Sequence, residues 1–362
     1  MRHRAAYRAE AARLRALFEA AGAEVVEAPI LLPAETLLDL YGEDIRARAY
    51  VTSDTLRGEQ MLRPDFTVPV VQMHMEHGAE PARYTYAGEV FRRQEDDVAR
   101  ANEYLQVGFE LFERDDPEAA DAEVFSLIQA ALNGLPLRAV VGDIGLLTAA
   151  VSGLNTTADR KAALMRHIWH PRRFRTLIER FAGRAPVPPS RAALLESEEP
   201  FVASGVAIGL RSRAEVEARI AALRADAAAA PISGAEVDLM DALLAVRETM
   251  PYALEHLRDI AVDMATIAPA VARLERRAEA LAARGVNVAT LEFEASYGRS
   301  QMEYYDGFVF GFSVGGRLDL PPVASGGRYD ALTRRLGQGR EIPAVGGVVR
   351  PGLMLALKEG RV

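Results

Sequence analysis

Two stretches of this sequence hold residues able to do chemistry. From Tyr104 to Phe112 a period of two puts Tyr104, Gln106, Gly108 and Glu110 on one face and Leu105, Val107, Phe109 and Leu111 on the other. A carboxylate and an amide four residues apart, either side of a glycine, could grip a ligand that presents both donors and acceptors. Taken alone, the pattern is better explained as a solvated strand face. The preceding strand-like segment, Tyr84 to Arg93, shifts the balance, because it offers Tyr86, Gly88 and Arg92 to line a pocket with them. The second stretch runs from Glu303 to Ser313. Alternation there sends Tyr304, Phe308, Phe310 and Phe312 to one face and Tyr305, Gly307, Val309, Gly311 and Ser313 to the other. Small residues with a phenol at one end suit close approach by a ligand or another backbone, and the glycines read equally well as bulges. Next, Ser325-Gly326-Gly327-Arg328-Tyr329-Asp330 puts paired glycines before an apolar-periodic segment, Ala331 to Leu336, a turn that can wrap an anion or carboxylate.

Metal and thiol chemistry find no support. The chain has no cysteine, which excludes disulfides, thiolate zinc sites and cysteine nucleophiles. His167 and His170 would share a helix face, but no carboxylate lies in their segment and Arg166, Arg172 and Arg173 crowd it. Packed or surface histidines are expected there, and the basic run 166–175 reads as a solvated or subunit-contacting face. No metal and no cofactor is expected.

The elements that must position these residues belong to an ordinary globular chain. It has 362 residues, 49% of them hydrophobic and 26% charged, enough for two or three domains and a large core. No run of 18 apolar residues and no signal-peptide core occurs, so a cytoplasmic protein without a membrane span is expected. The net charge of −8 argues against a broad nucleic-acid-binding surface. Leu14, Leu17, Phe18 and Ala21 are spaced as an amphipathic helix within Ala6 to Ala23 that Gly22 helps to end, and Val25 to Ile30 reads as an edge strand with a proline. Asp121 to Ile128 opens a helix and Leu137 to Gly142 reads as a strand. From Thr156 to Ala283 alanine, leucine, arginine and glutamate dominate, giving helices broken at Pro171, Pro186, Pro188, Pro189, Pro231 and Pro251. The helix from Ile267 to Gly285 returns to the main fold.

The order Glu-Tyr-Tyr, strand, Gly-Gly-Arg-Tyr-Asp, Pro-Ala-Val-Gly-Gly between Glu303 and Gly347 resembles the C-terminal half of the histidyl-tRNA synthetase catalytic domain. Leu62-Arg63-Pro64-Asp65-Phe66-Thr67 resembles that family's Arg-Pro-Glu-x-Thr segment, with Asp65 one methylene shorter than the acid that contacts the amino group of bound histidine. Asp65 reads alternatively as a cap on the helix through Met73. The helix and strand at the N-terminus resemble the first class II signature, which forms the family's homodimer interface. The hairpin from Tyr84 to Phe112 resembles the second, with Phe91-Arg92 in place and Gln94 where a glutamate is expected. The resemblance implies an α+β fold: a mixed, mainly antiparallel class II synthetase-like sheet flanked by helices. It also implies a core of residues 1–145 and 264–362, with a mainly helical insertion at 146–263. It implies a histidine site of Asp65, Thr67, Gln106, Glu110, Tyr304, Tyr305 and Tyr329, with Arg92 and Arg100 as candidates for residual phosphate contact.

Three departures bear on activity. Where the family has Arg-Gly-Leu-Asp-Tyr-Tyr, this chain has Ser300-Gln301-Met302-Glu303-Tyr304-Tyr305, and serine cannot offset charge developing on a phosphoryl group. Leu353 stands where the third signature has its ATP-binding arginine, with Arg350 three residues early and before Pro351. No anticodon-binding domain is expected after Val362. An amino-acid pocket without adenylation equipment resembles the branch of the family formed by the regulatory subunits of ATP phosphoribosyltransferase. Membership there implies a non-catalytic subunit that activates a short catalytic subunit, with L-histidine as feedback effector. It further implies a homodimer within a hetero-octamer of four and four, with no tRNA partner. A truncated synthetase-like enzyme, or a dimeric module recruiting another enzyme, are the alternatives.

Overall fold

The computed structural model describes residues 2–41, 45–94, 101–202, 204–205, 208–299, 304–317 and 319–361. Its strands are β1 (Glu24–Val25), β2 (Leu31–Pro33), β3 (Val51–Asp54), β4 (Gly58–Leu62), β5 (Ala82–Phe91), β6 (Glu103–Phe112), β7 (Leu137–Asp143), β8 (Arg247–Thr249), β9 (Glu292–Glu294), β10 (Phe308–Val314), β11 (Ala324–Arg328) and β12 (Ala344–Val349). Nine of them form one sheet in the order β1-β5-β6-β12-β11-β10-β7-β9-β8, while β2, β4 and β3 form a small second sheet. Among the described residues, only β1/β5 and β7/β9 pair in parallel within the large sheet. The fold is therefore α+β on a mixed, mainly antiparallel sheet, as expected.

The helices are α1 (Arg2–Ala20), α2 (Ala34–Tyr41), α3 (Ile45–Arg48), α4 (Thr67–His77), α5 (Pro117–Ala131), α6 (Ile144–Gly153), α7 (Ala158–Arg166), α8 (Pro171–Phe181), α9 (Pro189–Glu196), α10 (Arg213–Ala228), α11 (Gly234–Ala245), α12 (Met250–Asp263), α13 (Ala268–Ala283), α14 (Asp330–Leu336) and α15 (Pro351–Lys358). On α1 the apolar stripe buries Leu14 and Phe18, the latter 5.6 Å from the Phe109 ring of β6, and Gly22 turns the chain at φ +90°. Helix α5 starts with Asp116 accepting from the Ala119 N–H and Pro117 in its first turn. It lays Phe125 against Phe308, Phe310 and Phe312 on the back of β10, at 6.3, 5.4 and 5.1 Å. Pro171, Pro189 and Pro251 each stand in the first turn of a helix, and Pro231 lies between α10 and α11.

A charged network is buried between these layers. Asp121 of α5 accepts from Arg277 Nε at 2.7 Å and from Arg328 Nε and Nη2 at 3.0 and 2.7 Å. Arg277 also reaches Asp143 at 2.7 Å, whose other oxygen caps α6 through the Gly145 N–H. Arg328 continues to Asp330, which accepts from the Ala344 N–H. One aspartate thus ties α5, α13, β7, β11 and α14 together.

Three local expectations are corrected. The edge strand expected over Val25 to Ile30 is confined to Glu24 and Val25, and after the Val26 N–H bonds Thr85 the chain leaves the sheet ahead of Pro29, which has no N–H to give. The aromatic strand begins at Phe308, so Tyr304 and Tyr305 lie in the turn before it. The paired glycines Gly326 and Gly327 form no anion-wrapping turn; both are inside β11.

Candidate functional site

The front face of the sheet gathers most of the predicted site residues. Register sets Tyr84 and Gly346 opposite Glu110, and Tyr86 and Gly88 opposite Gly108 and Gln106. Side chains of β5, β6 and β12 therefore converge on one patch. Glu110, only 1% exposed, is the centre of it. Its Oε1 accepts from Thr67 Oγ1 at 3.0 Å and from the Tyr86 hydroxyl at 2.8 Å, and its Oε2 from the Tyr329 hydroxyl at 2.5 Å. Thr67 opens α4, Tyr86 stacks on Phe66 at 4.3 Å, and Tyr304 reaches Thr67 at 3.4 Å. Burial raises the Glu110 pKa to about 7; the three hydroxyl bonds pull it back down and Asp65 pushes it up further. Burial, then Glu110, raises the phenols of Tyr86 and Tyr329 far above their usual range, so both donate as neutral hydroxyls.

Asp65 is buried in the same patch, with one oxygen 3.4 Å from the Val68 N–H, while the residue preceding α4 is Phe66. Tyr305 is buried, and its carbonyl accepts from Trp169 Nε1 at 3.2 Å, so the α7–α8 turn holds the tyrosine pair. The rings of Tyr304 and Tyr329 meet edge to face at 6.1 Å. Gln106, 1% exposed, has neither amide atom hydrogen bonded within the protein. A buried amide with three or four unmet bonds is costly unless a water or a polar ligand meets them. Arg92 Nε donates to the Pro64 carbonyl at 2.7 Å, and Gln94 spans the Arg92 and Ala101 carbonyls. Arg100 and Ser300 to Glu303 lie outside the described residues.

Glycines make the patch possible by yielding space to side chains. A methyl at Gly346 would stand 1.5 Å from Glu110 Oε2, one at Gly108 2.2 Å from the Tyr86 phenol, and one at Gly327 2.9 Å from the Tyr305 ring. The small-residue face of β10 is likewise no open floor, since Gly311 receives the Tyr297 hydroxyl. Sequence reasoning missed Trp169, whose role comes from a contact 136 positions away, and it missed His74. His74 is buried, stacked on Phe112 at 3.8 Å and 3.1 Å from the Tyr84 hydroxyl, with burial lowering its pKa. The signal for it was available: His74 stands seven residues after Thr67 on α4, so the two share a helix face.

The remaining candidates separate from the patch. The rings of His167 and His170 stand 6.0 Å apart at the end of α7, and no cluster of three metal-ligating side chains occurs among the described residues. Leu353 packs from α15 against the core. Arg299 donates Nε to the Ile168 carbonyl at 2.7 Å and lies over Phe174 at 4.8 Å; burial lowers its pKa to about 10. No helix among the described residues is long and apolar enough to cross a membrane.

Comparison with known proteins identifies the family and the fold. A family model described as "Histidyl-tRNA synthetase" matches residues 2–228 and 210–351. Proteins named "ATP phosphoribosyltransferase regulatory subunit" from Brucella ovis and Brucella abortus are each 32% identical over 353 residues, covering 92% of this chain and 93% and 92% of theirs. Among solved structures, an "ATP phosphoribosyltransferase regulatory subunit/histidyl-tRNA synthetase" from Bacillus halodurans shares the fold at a TM-score of 0.68 and 22% identity, over 97% of this chain and 79% of its own. A "Histidine--tRNA ligase subunit" from Alicyclobacillus acidocaldarius matches at 0.61 and 25%, over 98% and 93%. With a carboxylate-centred patch on a synthetase-like sheet and relatives this similar over nearly their whole length, the chain belongs to the family of ATP phosphoribosyltransferase regulatory subunits, built on the histidyl-tRNA synthetase fold.

Proposed function

We propose that this chain is a non-catalytic subunit that activates a short ATP phosphoribosyltransferase catalytic subunit and relays feedback inhibition by L-histidine. The observation that carries the reading is Glu110: a buried carboxylate with three hydroxyl donors and one accepting position left, beside the unmet amide of Gln106. Such a pair receives an imidazole or ammonium N–H. The apolar Leu353 favours sensing over adenylation, because that position offers no cation to a triphosphate. Asp65, Thr67, Tyr304, Tyr305 and Tyr329 complete the proposed histidine site, and Arg92 is kept as the candidate for residual phosphate contact.

Histidine bound there favours one arrangement of the complex, and its differential affinity lowers the partner's catalysis. Val25, Ile30, Leu31, Val51 and Leu56 are exposed around the small sheet and support a homodimer through that region, within a hetero-octamer in the cytoplasm. We also read 146–263 as an insertion into a core of 1–145 and 264–362.

The test is the rate of a short phosphoribosyltransferase with and without this chain over a series of histidine concentrations. The rate should rise on adding the chain and fall with histidine; a histidine-independent rate sinks the reading. Pyrophosphate exchange driven by histidine and ATP should stay at background. Gly346→Ala offers a second check, since its methyl would displace the Glu110 carboxylate. It should cost roughly tenfold or more in histidine affinity by titration calorimetry.

A further inference from the structure

The ladder between β6 and β12 pairs Gly108 with Val348 and Val107 with Val349. Arg350, the next residue and still extended at φ −103° and ψ 93°, therefore emerges beside Gln106 on the face of Gly346 and Glu110. Its surroundings agree with that placement. The guanidinium lies 5.9 Å from the Tyr104 ring centroid and Nη1 donates to the Pro322 carbonyl. Burial lowers its pKa, Tyr104 opposes this, and the like charge of Arg92 adds to it. No carboxylate among the described residues is bonded to it.

The patch consequently has two unlike ends. Glu110 and Asp65 are acidic at one, Arg92 and Arg350 are basic at the other, and the unmet Gln106 amide stands between them. A site polarised in this way matches a zwitterion better than a polyphosphate, whose charge is of one sign throughout. Arg299, closer in sequence to the family's arginine, donates Nε to the Ile168 carbonyl of the α7–α8 turn and lies over the Phe174 ring, with Nη2 unbonded within the protein, whereas Arg350 is the arginine that the ladder sets beside Gln106. We infer that Arg350 receives the α-carboxylate of the amino-acid ligand, with Gln106 bridging to the end that faces Glu110, and that it thereby selects an intact amino acid over analogues lacking the carboxylate.

This inference rests on the histidine reading and is separable from it. Titration calorimetry on the full chain would compare L-histidine with histidinol, whose alcohol replaces the carboxylate. Wild type should prefer histidine by roughly tenfold or more, and Arg350→Gln should lose that margin while binding histidinol within about twofold of wild type. Histidinol binding reports that the variant is folded; if Arg350→Gln fails that control, Arg350→Met keeps the stem over Tyr104 and replaces it. Equal affinities for the two ligands in wild type, or an undiminished preference in the variant, overturn the role of Arg350 and leave the histidine reading standing. No binding of histidine by wild type overturns both.

Discussion

Asp121→Ala should lower the unfolding free energy by about 3–5 kcal/mol, the cost expected when one partner leaves a buried ion network. The side chain is fully buried and accepts three guanidinium bonds, from Arg277 Nε and from Arg328 Nε and Nη2. Removing it leaves Arg277 with Asp143 and Arg328 with Asp330, so each cation keeps one carboxylate. The loss therefore comes from buried donors left without acceptors and from the parting of α5 from α13 and β11. Asp121→Asn keeps an acceptor oxygen for one arginine but turns its NH2 donors toward the other, because Arg277 and Arg328 bond different oxygens, so it should recover only part of that loss. For contrast, Arg258 meets Glu275 at 2.6 Å on the surface, and Arg258→Ala should cost about 0–1 kcal/mol. Urea midpoints at unchanged slope would measure all three. If Asp121→Ala loses no more than Arg258→Ala, the network does not hold the layers together.

That network also marks the limit of what the sequence made legible. Strand alternation alone put Gln106, Gly108 and Glu110 on one face, and the ladder did set Tyr86 and Gly88 against them, because a period of two in adjacent strands leaves few registers. The helix returning at 267–285 was legible for a similar reason: its apolar stripe is continuous and Gly285 ends it, at φ +82°. Contacts between distant segments left no such periodic trace. Asp121 meets arginines 156 and 207 positions away, and Tyr329 donates to a carboxylate 219 positions earlier. The glycines misled for a physical reason. A residue without a side chain shows that something approaches closely, and the sequence does not say whether that is a ligand or, as at Gly346 and Gly311, Glu110 and Tyr297.

Glu110→Gln should weaken L-histidine binding by roughly tenfold to a hundredfold, the loss of about 1.5–3 kcal/mol expected for a hydrogen bond to a charged group. The pH dependence distinguishes this from simple damage. Burial raises the Glu110 pKa from its usual 4.5 to about 7. The stability it lends the unliganded protein is full below pH 4.5 and is lost as pH rises through 7, a decline on the order of 3 kcal/mol. Asp306 lies at the start of α14, accepting from the Asp330 and Ala331 N–H groups. Burial, then repulsion from Asp330, raises its pKa to about 7 as well, giving a decline of the same sign. Glu110→Gln should remove part of the slope and be the more stable protein at pH 8 without ligand; Asp306→Asn should remove much of the rest. Binding has a different profile. Free imidazole titrates near about 6.5, so the carboxylate and the ligand together must carry one proton. Wild-type affinity should therefore peak between about pH 6.5 and 7 and fall on both sides, whereas Glu110→Gln should fall only on the acid side. A variant that binds histidine as wild type does, or keeps the alkaline limb, would remove Glu110 from the centre of the site.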